Sequence, residues 1–256
     1  MIFFVIEMKQ AIDKACNLII KLQQLKKIRG YVLTGAGVSK ASDIPTFRGE
    51  DGLWERYDFE EVATYDAWIR NPEKIWKLYQ EGIDLILNAQ PNAAHKAIFQ
   101  LENLNLSQFV ITQNVDSLHQ KAGSKNVIEV HGNFTRIKCT ACGRKQILSK
   151  SPEKIPPFCD CGSLFRPDVV LFNESLPEKE ISKAFDIAAK SDLVFVIGTS
   201  AEVIPAATLP LISKRNGAVV IVFNPEKTTH VQIADVFIQG KCEETLPIFL
   251  QELTKE

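Results

Sequence analysis

The sequence predicts an α/β fold: a doubly wound, Rossmann-like parallel sheet interrupted by a helical insert and by a small metal-binding lobe. Three observations carry this. Short apolar runs, "YVLT" (31–34), "FVIT" (109–112), "LVFVIGTS" (193–200) and "AVVIVFN" (218–224), end in small or polar residues, as buried parallel strands do at the ligand edge of a sheet. Segments of helical period lie between them. Residues 134–168 break the alternation with four cysteines and the pair Pro156-Pro157.

In chain order, "MIFFVI" reads as a first strand or a packed N-terminal arm, being too short for a signal-peptide core or a membrane span. Residues 8–28 place Ile12, Ala15, Leu18, Ile19, Leu22 and Leu25 on one helical face. A strand at 30–34 feeds "GAGVSKASDIPTFRG" (35–49), which begins like a dinucleotide loop. It has Lys40 where a third glycine belongs, and no acidic residue ends a second strand about 20 positions on. From 45 to 103 the pattern is helical, punctuated by turn signals at 71–72 and 90–92. "NVIEVHG" (126–132) adds a short strand, and "EISKAFDIAAK" (180–190) a helix before the run at 193–200.

Composition narrows the function classes. The chain has 256 residues, 45% hydrophobic and 24% charged, with a net charge of −1. That balance suits a globular protein and provides no field for gripping a nucleic-acid backbone. No stretch approaches 18 apolar residues, so the expectation is a soluble, cytoplasmic protein with neither a membrane nor a nucleic acid as partner. Of six cysteines, Cys139, Cys142, Cys159 and Cys161 cluster as C-x2-C and C-x-C. In a reducing compartment this reads as four thiolates around one structural Zn2+. Four free cysteines, or a redox role for Cys139 and Cys142, are the alternatives.

Polar residues gather at the strand ends. Gln113, Asn114 and Asp116 follow one strand, His131 lies beside Gly132, and Asn224 and Glu226 end the last run. Glu226 can hold a ribose diol in place of the carboxylate missing after the first loop.

Taken together, GAGVS-x2-S-x-IP-x-FRG, TQN-x-D-x-LH-x-AG, E-x-HG, the four cysteines, GTS-x3-PAA-x-LP and N-x-E resemble the sirtuins, NAD-dependent protein lysine deacylases, from about residue 30 to 250. The body around residues 49–72 resembles the small prokaryotic members most. The resemblance implies one catalytic domain over 1–256. Its Rossmann-like part is 1–45, 93–133 and 169–256, its helical insert 46–92 and its zinc-binding insert 134–168.

Residue by residue, the resemblance implies that amides of Gly35, Ala36 and Gly37 approach the NAD pyrophosphate, aided by the helix end that comes next. Phe47 and Arg48 would belong to a segment closing over nicotinamide. Ile44, Asn114 and Asp116 would line the nicotinamide pocket, and Gln113 would bond its ribose. Gly198, Thr199 and Ser200 would meet phosphate and ribose, Asn224 and Glu226 the adenine ribose, and Lys241-Cys242 the adenine through backbone. "VVLFN" (169–173), with Val170 and Phe172, and "EVIP" (202–205), with Val203, would sandwich an acyl-lysine peptide as an added strand. Ala63 and Tyr79 would line the acyl pocket, with Gly82 where relatives that prefer succinyl-lysine carry an arginine.

The implied reaction transfers the acyl group to ADP-ribose, releasing nicotinamide, O-acyl-ADP-ribose and free lysine, with His131 as general base and Asn114 beside it. His119 competes for that role and reads as structural; His95 and His230 read as ordinary helix and loop residues. Asp43 and Asn173 stand where the family has glycines. An NAD-binding scaffold without turnover, or an NAD glycohydrolase or mono-ADP-ribosyltransferase, is the alternative use of such a site.

Overall fold

A computed structural model of the chain describes residues 2–46 and 57–255. A central sheet of six strands runs in the order β3-β2-β1-β7-β8-β9, parallel throughout. Its strands are β1 (Gly30–Thr34), β2 (Phe109–Thr112), β3 (Val127–Glu129), β7 (Leu193–Ile197), β8 (Val219–Asn224) and β9 (Val236–Gln239). β1 sits between β2 and β7, so the strand order reverses on either side of it, and the ends of β1, β2 and β7 open a crevice there. Register fixes what lines that edge: Thr34 lies between Thr112 and Ile197.

The continuous apolar runs resolve into two faces, because strand side chains alternate. Val32, Val110, Phe195 and Phe223 pack against α1 (Ile2–Leu25), α5 (Ala93–Asn103) and α9 (Cys242–Leu253). Tyr31, Leu33, Val194 and Val220 pack against α7 (Glu178–Lys190) and α8 (Leu209–Arg215).

The reading of "MIFFVI" as strand or arm is corrected. Helix α1 begins at Ile2 and runs to Leu25. No Gly or Pro separates the apolar run from the periodic segment behind it, so the helix propagates through both.

The helical insert contains α2 (Phe59–Val62), α3 (Tyr65–Arg70) and α4 (Pro72–Asn88). Thr64 caps α3 by accepting from the Ala67 N–H, and Asn71 caps α4 by accepting from the Lys74 N–H. The cysteine-rich segment, which interrupts the α/β alternation, builds a three-stranded antiparallel sheet, β5-β4-β6, from β4 (Gly132–Cys139), β5 (Lys145–Ile147) and β6 (Phe165–Val169). Among the described residues the two inserts share one core. Trp68, Ile75, Trp76, Tyr79 and Ile83 pack with Ile137, Cys139, Cys159 and Phe165 in one cluster. The Trp76 indole N–H donates to the Phe165 carbonyl at 3.0 Å.

Candidate active site

The glycine loop does something other than the sequence suggests. The Gly35 N–H donates to the Ile197 carbonyl (3.2 Å) and the Gly37 N–H to the Gly198 carbonyl (2.9 Å). Those two amides are therefore already engaged and do not wait for a pyrophosphate. A Cβ on Gly35 would lie 2.8 Å from the Thr199 Cβ, and one on Gly37 2.9 Å from the Gly198 oxygen. The glycines are needed so that the loops after β1 and β7 can touch. No α-helix comes next; two 3-10 turns do, Ala36–Val38 and Lys40–Ser42. Among the described residues no α-helix directly follows the loop, and Lys40 is exposed. Asp43 closes the second turn at φ 62°. Asp adopts this left-handed region more readily than most residues, which lets it replace glycine here.

Ser39, for which the sequence alone indicates no role, is the centre of the crevice's polar network. It is 1% exposed. Its hydroxyl donates to Asp116 Oδ2 at 2.6 Å and accepts from Asn114 Nδ2 at 3.1 Å. His95 Nδ1 accepts the Asn92 N–H (3.3 Å), which leaves Nε2–H to donate toward Ser39 Oγ (3.4 Å). Asp116 also takes the Leu118 N–H at 2.9 Å. Burial raises the Asp116 pKa, with the bonds from Ser39 and Leu118 pulling the other way. Ile44, half-buried, lies further along the same loop.

Two histidines reach this region with opposite roles. His119 is 1% exposed, and its Nε2 bonds Thr34 Oγ1 at 2.9 Å. Thr34 in turn donates to Thr112 Oγ1 (2.8 Å), which accepts the Asn114 N–H (3.0 Å). Burial, and then the neighbouring His95, hold the His119 pKa well below the ordinary imidazole value. His131 instead comes just after β3 and is half-buried. Its Nδ1 bonds the Gln113 carbonyl at 3.1 Å. A carbonyl only accepts, so Nδ1 carries the proton and Nε2 keeps its lone pair. Burial lowers its pKa, against the Gln113 bond, which raises it. The Gln113 side chain donates to Thr199 Oγ1 at 3.0 Å, tying the end of β2 to the end of β7.

At the far end of the crevice, Asn224 is 8% exposed and its Nδ2 donates to the Glu226 carbonyl at 2.8 Å. The Glu226 carboxylate and Ser200 are exposed. Cys242 opens α9 with its thiol buried, its pKa pushed up to about 12 by burial. Phe47 and Arg48 lie outside the described residues.

On the peptide side, the chain's own bonding takes up part of the main chain of segment 169–173. The Phe172 N–H donates to the Ala63 carbonyl (2.8 Å), and its carbonyl accepts the Tyr65 N–H (2.9 Å). The Val170 N–H donates to the His131 carbonyl at 2.9 Å. Phe172 therefore has no main-chain group for an incoming strand, while its side chain and those of Val170 and Val203 stay half-buried. Ala63 and Tyr79 are 6% and 3% exposed. Tyr79 stacks on Phe134 with ring centroids 4.1 Å apart, and its hydroxyl has no partner among the described residues. Gly82 leaves little open volume: a Cβ there would meet Phe134 Cζ at 3.2 Å. Phe134 fills that space.

The four cysteine sulfurs lie within 4.8 Å of one another. Cys139 and Cys161 are 3.4 Å apart, Cys142 and Cys159 3.8 Å. Sulfurs around tetrahedral zinc stand about 3.8 Å apart, given Zn–S bonds of about 2.3 Å, so this donor set fits the ion. Gly143 (φ 72°) and Gly162 (φ 86°) turn the chain after each cysteine pair, which lets the short C-x-C present both thiols to one centre.

The sequence profile of the Sir2 family matches residues 35–205. The NAD-dependent protein deacylase of Pyrococcus furiosus is 48% identical over 90% of this chain and 95% of its own length. NAD-dependent protein deacylase 1 of Archaeoglobus fulgidus is 47% identical over 87% of this chain and 92% of its own. A solved Sir2 homologue in complex with NAD superposes with a TM-score of 0.82 at 45% identity, covering 90% of this chain and 93% of that one. A Sir2 variant solved with deacetylated p53 peptide and 3′-O-acetyl ADP-ribose gives 0.84 at 36% identity, covering 96% and 98%. The described fold, a crevice beside β1 and a four-cysteine lobe agree with these likenesses, and the chain belongs to the Sir2 family.

Proposed function

We propose that the protein is an NAD-dependent lysine deacylase. It moves an acyl group from a lysine side chain of a protein or peptide to ADP-ribose, with release of nicotinamide. The observation that carries this is His131, held by the Gln113 carbonyl with Nε2 unprotonated, one short segment away from the buried Asn114–Ser39–Asp116 network. The deacylase names of relatives at 47% and 48% identity agree with it.

The residues at the crevice fit NAD: neutral amides and a hydroxyl for an amide-bearing ring, hydrogen-bonding groups at three strand ends, and glycines that keep the loops close. When bound, NAD supplies an anomeric carbon with nicotinamide as its leaving group. Asn114, Asp116 and Ile44 hold the nicotinamide side, where Ser39 fixes the orientation of both polar groups. Gln113 and Thr199 meet the adjoining ribose, Ser200 the phosphates, and Asn224 and Glu226 the adenine ribose. His131 Nε2 takes the proton of a ribose hydroxyl, and its lowered pKa keeps it unprotonated at neutral pH. Cys139, Cys142, Cys159 and Cys161 would hold one structural zinc, far too enclosed by thiolates to leave a catalytic position open. Four clustered thiols suit a reducing compartment such as the cytoplasm.

Nicotinamide release from NAD, measured with and without an acetyl-lysine peptide, tests the reading. Release that requires peptide is the expected result. Equal release without it identifies an NAD glycohydrolase instead.

A further inference from the structure

A part-buried ion pair outside the NAD crevice is built around the peptide-side segment. Arg166 on β6 has a side chain 12% exposed and grips Glu174 through both carboxylate oxygens, at 2.8 Å each. Its Nη2 also donates to the Val169 carbonyl at 3.1 Å. Glu174 Oε2 accepts the Leu171 N–H (3.0 Å), and the Glu174 N–H returns to the Leu171 carbonyl (3.1 Å). These bonds close a four-residue turn with Asn173 in the left-handed region, φ 64°. The guanidinium lies over the rings of Tyr65 (5.9 Å) and Trp68 (5.7 Å) on α3. The turn is thus tied to β6, to the helical insert through Phe172, and to His131 through Val170.

A non-glycine residue in the left-handed region persists where its surroundings over-determine it. Here the forked Arg166–Glu174 pair supplies that constraint. A bidentate guanidinium–carboxylate pair fixes geometry in a way that a single ammonium contact does not.

We propose that Arg166 and Glu174 are positioning residues for the acyl-lysine peptide. They hold the 171–174 turn, and with it the half-buried side chains of Val170 and Phe172, in the shape that receives the substrate. The proposal rests on the deacylase reading for the identity of that substrate. Loosening the pair lowers peptide affinity and leaves NAD binding and the chemical step intact, because neither residue reaches the crevice network around Ser39.

The test compares wild type with Arg166→Gln, Arg166→Lys and Glu174→Gln. Peptide Kd is measured by fluorescence anisotropy with a labelled acetyl-lysine peptide, and KM and kcat for peptide and NAD are measured by turnover. Zinc content and thermal midpoint confirm native folding. Breaking one charge-assisted pair is expected to raise peptide Kd and KM about tenfold. NAD KM and kcat should stay within about twofold, and Arg166→Lys should fall between wild type and Arg166→Gln. Glu174→Gln, nearly isosteric and still able to accept the Leu171 N–H, keeps the test open if Arg166→Gln fails to fold. Peptide Kd unchanged in the folded variants overturns the proposal, as does a loss confined to kcat or an equal rise in NAD KM. A wild type that binds peptide but releases nicotinamide without it overturns the deacylase reading alone. One that binds no acyl-lysine peptide overturns the proposal as well.

Discussion

His95 makes one share of the protein's acid destabilisation calculable. The ring is fully buried at the start of α5, and burial lowers its pKa from 6.5 to about 4. Both nitrogens are engaged as the neutral imidazole requires: Nδ1 accepts from Asn92 and Nε2–H points to Ser39. A proton on Nδ1 would face the Asn92 N–H, donor against donor. The unfolded chain takes up that proton near pH 6.5 and the folded chain only near 4, so between those values the unfolded state holds more protons and stability falls with falling pH. Fully expressed, the gap is worth about 3 kcal/mol, and between pH 7 and pH 5 about 2 kcal/mol. That is a large share of the roughly 5–15 kcal/mol typical of a native protein. Urea denaturation of wild type and His95→Gln at both pH values measures it. Glutamine retains a side-chain acceptor for the cap without a titrating group. The opposite contribution of Asp116, whose pKa is raised, is common to both proteins and cancels in the difference. The variant should lose about 2 kcal/mol less than wild type on going to pH 5. Equal losses in the two proteins would refute the assignment of this slope to His95.

Four further outcomes are expected. His131→Ala should bind NAD normally and lose roughly 10²-fold or more in deacylation, with nicotinamide exchange retained better than product formation; the same pattern in His119→Ala instead would mean that the base has been misidentified. In wild type, the acid limb of kcat/KM should lie below the ordinary imidazole range, since His131 must be unprotonated and its pKa is lowered. Cys139→Ala should lose zinc, measured by metal analysis, and activity with it because the lobe shares a core with the helical insert; full activity after verified zinc removal would sink the structural role. On one peptide sequence, kcat/KM should favour acetyl-lysine over succinyl-lysine, because Tyr79 and Phe134 present rings and one hydroxyl but no cation to an acidic tail. A succinyl preference would require a cation supplied from elsewhere.

Much of this was written locally in the chain. Apolar runs that give way at Thr34, Thr112, Gly198 and Asn224 reveal the parallel sheet. Burial on both faces demands such runs, and a ligand edge demands small or polar residues at their ends. The cysteine spacing marks the metal lobe for an equally local reason: two tight turns must each present a pair of thiolates. Other features depend on residues far apart in sequence. Gly35 and Gly37 look like phosphate ligands until Gly198, on another strand's end, is seen to take the Gly37 amide and fill the space beside both. Ser39 shows its place only when Asn114 and Asp116 arrive from the end of β2 and His95 from α5. Gly82 leaves its helix without a side chain there, yet Phe134 from β4 occupies the space. Sequence patterns record whether a residue is buried and how the backbone turns there, since both are imposed by near neighbours. Which partner meets which is decided when distant elements pack, and that is where the hydrogen bonds of this site and the space beside Tyr79 are set.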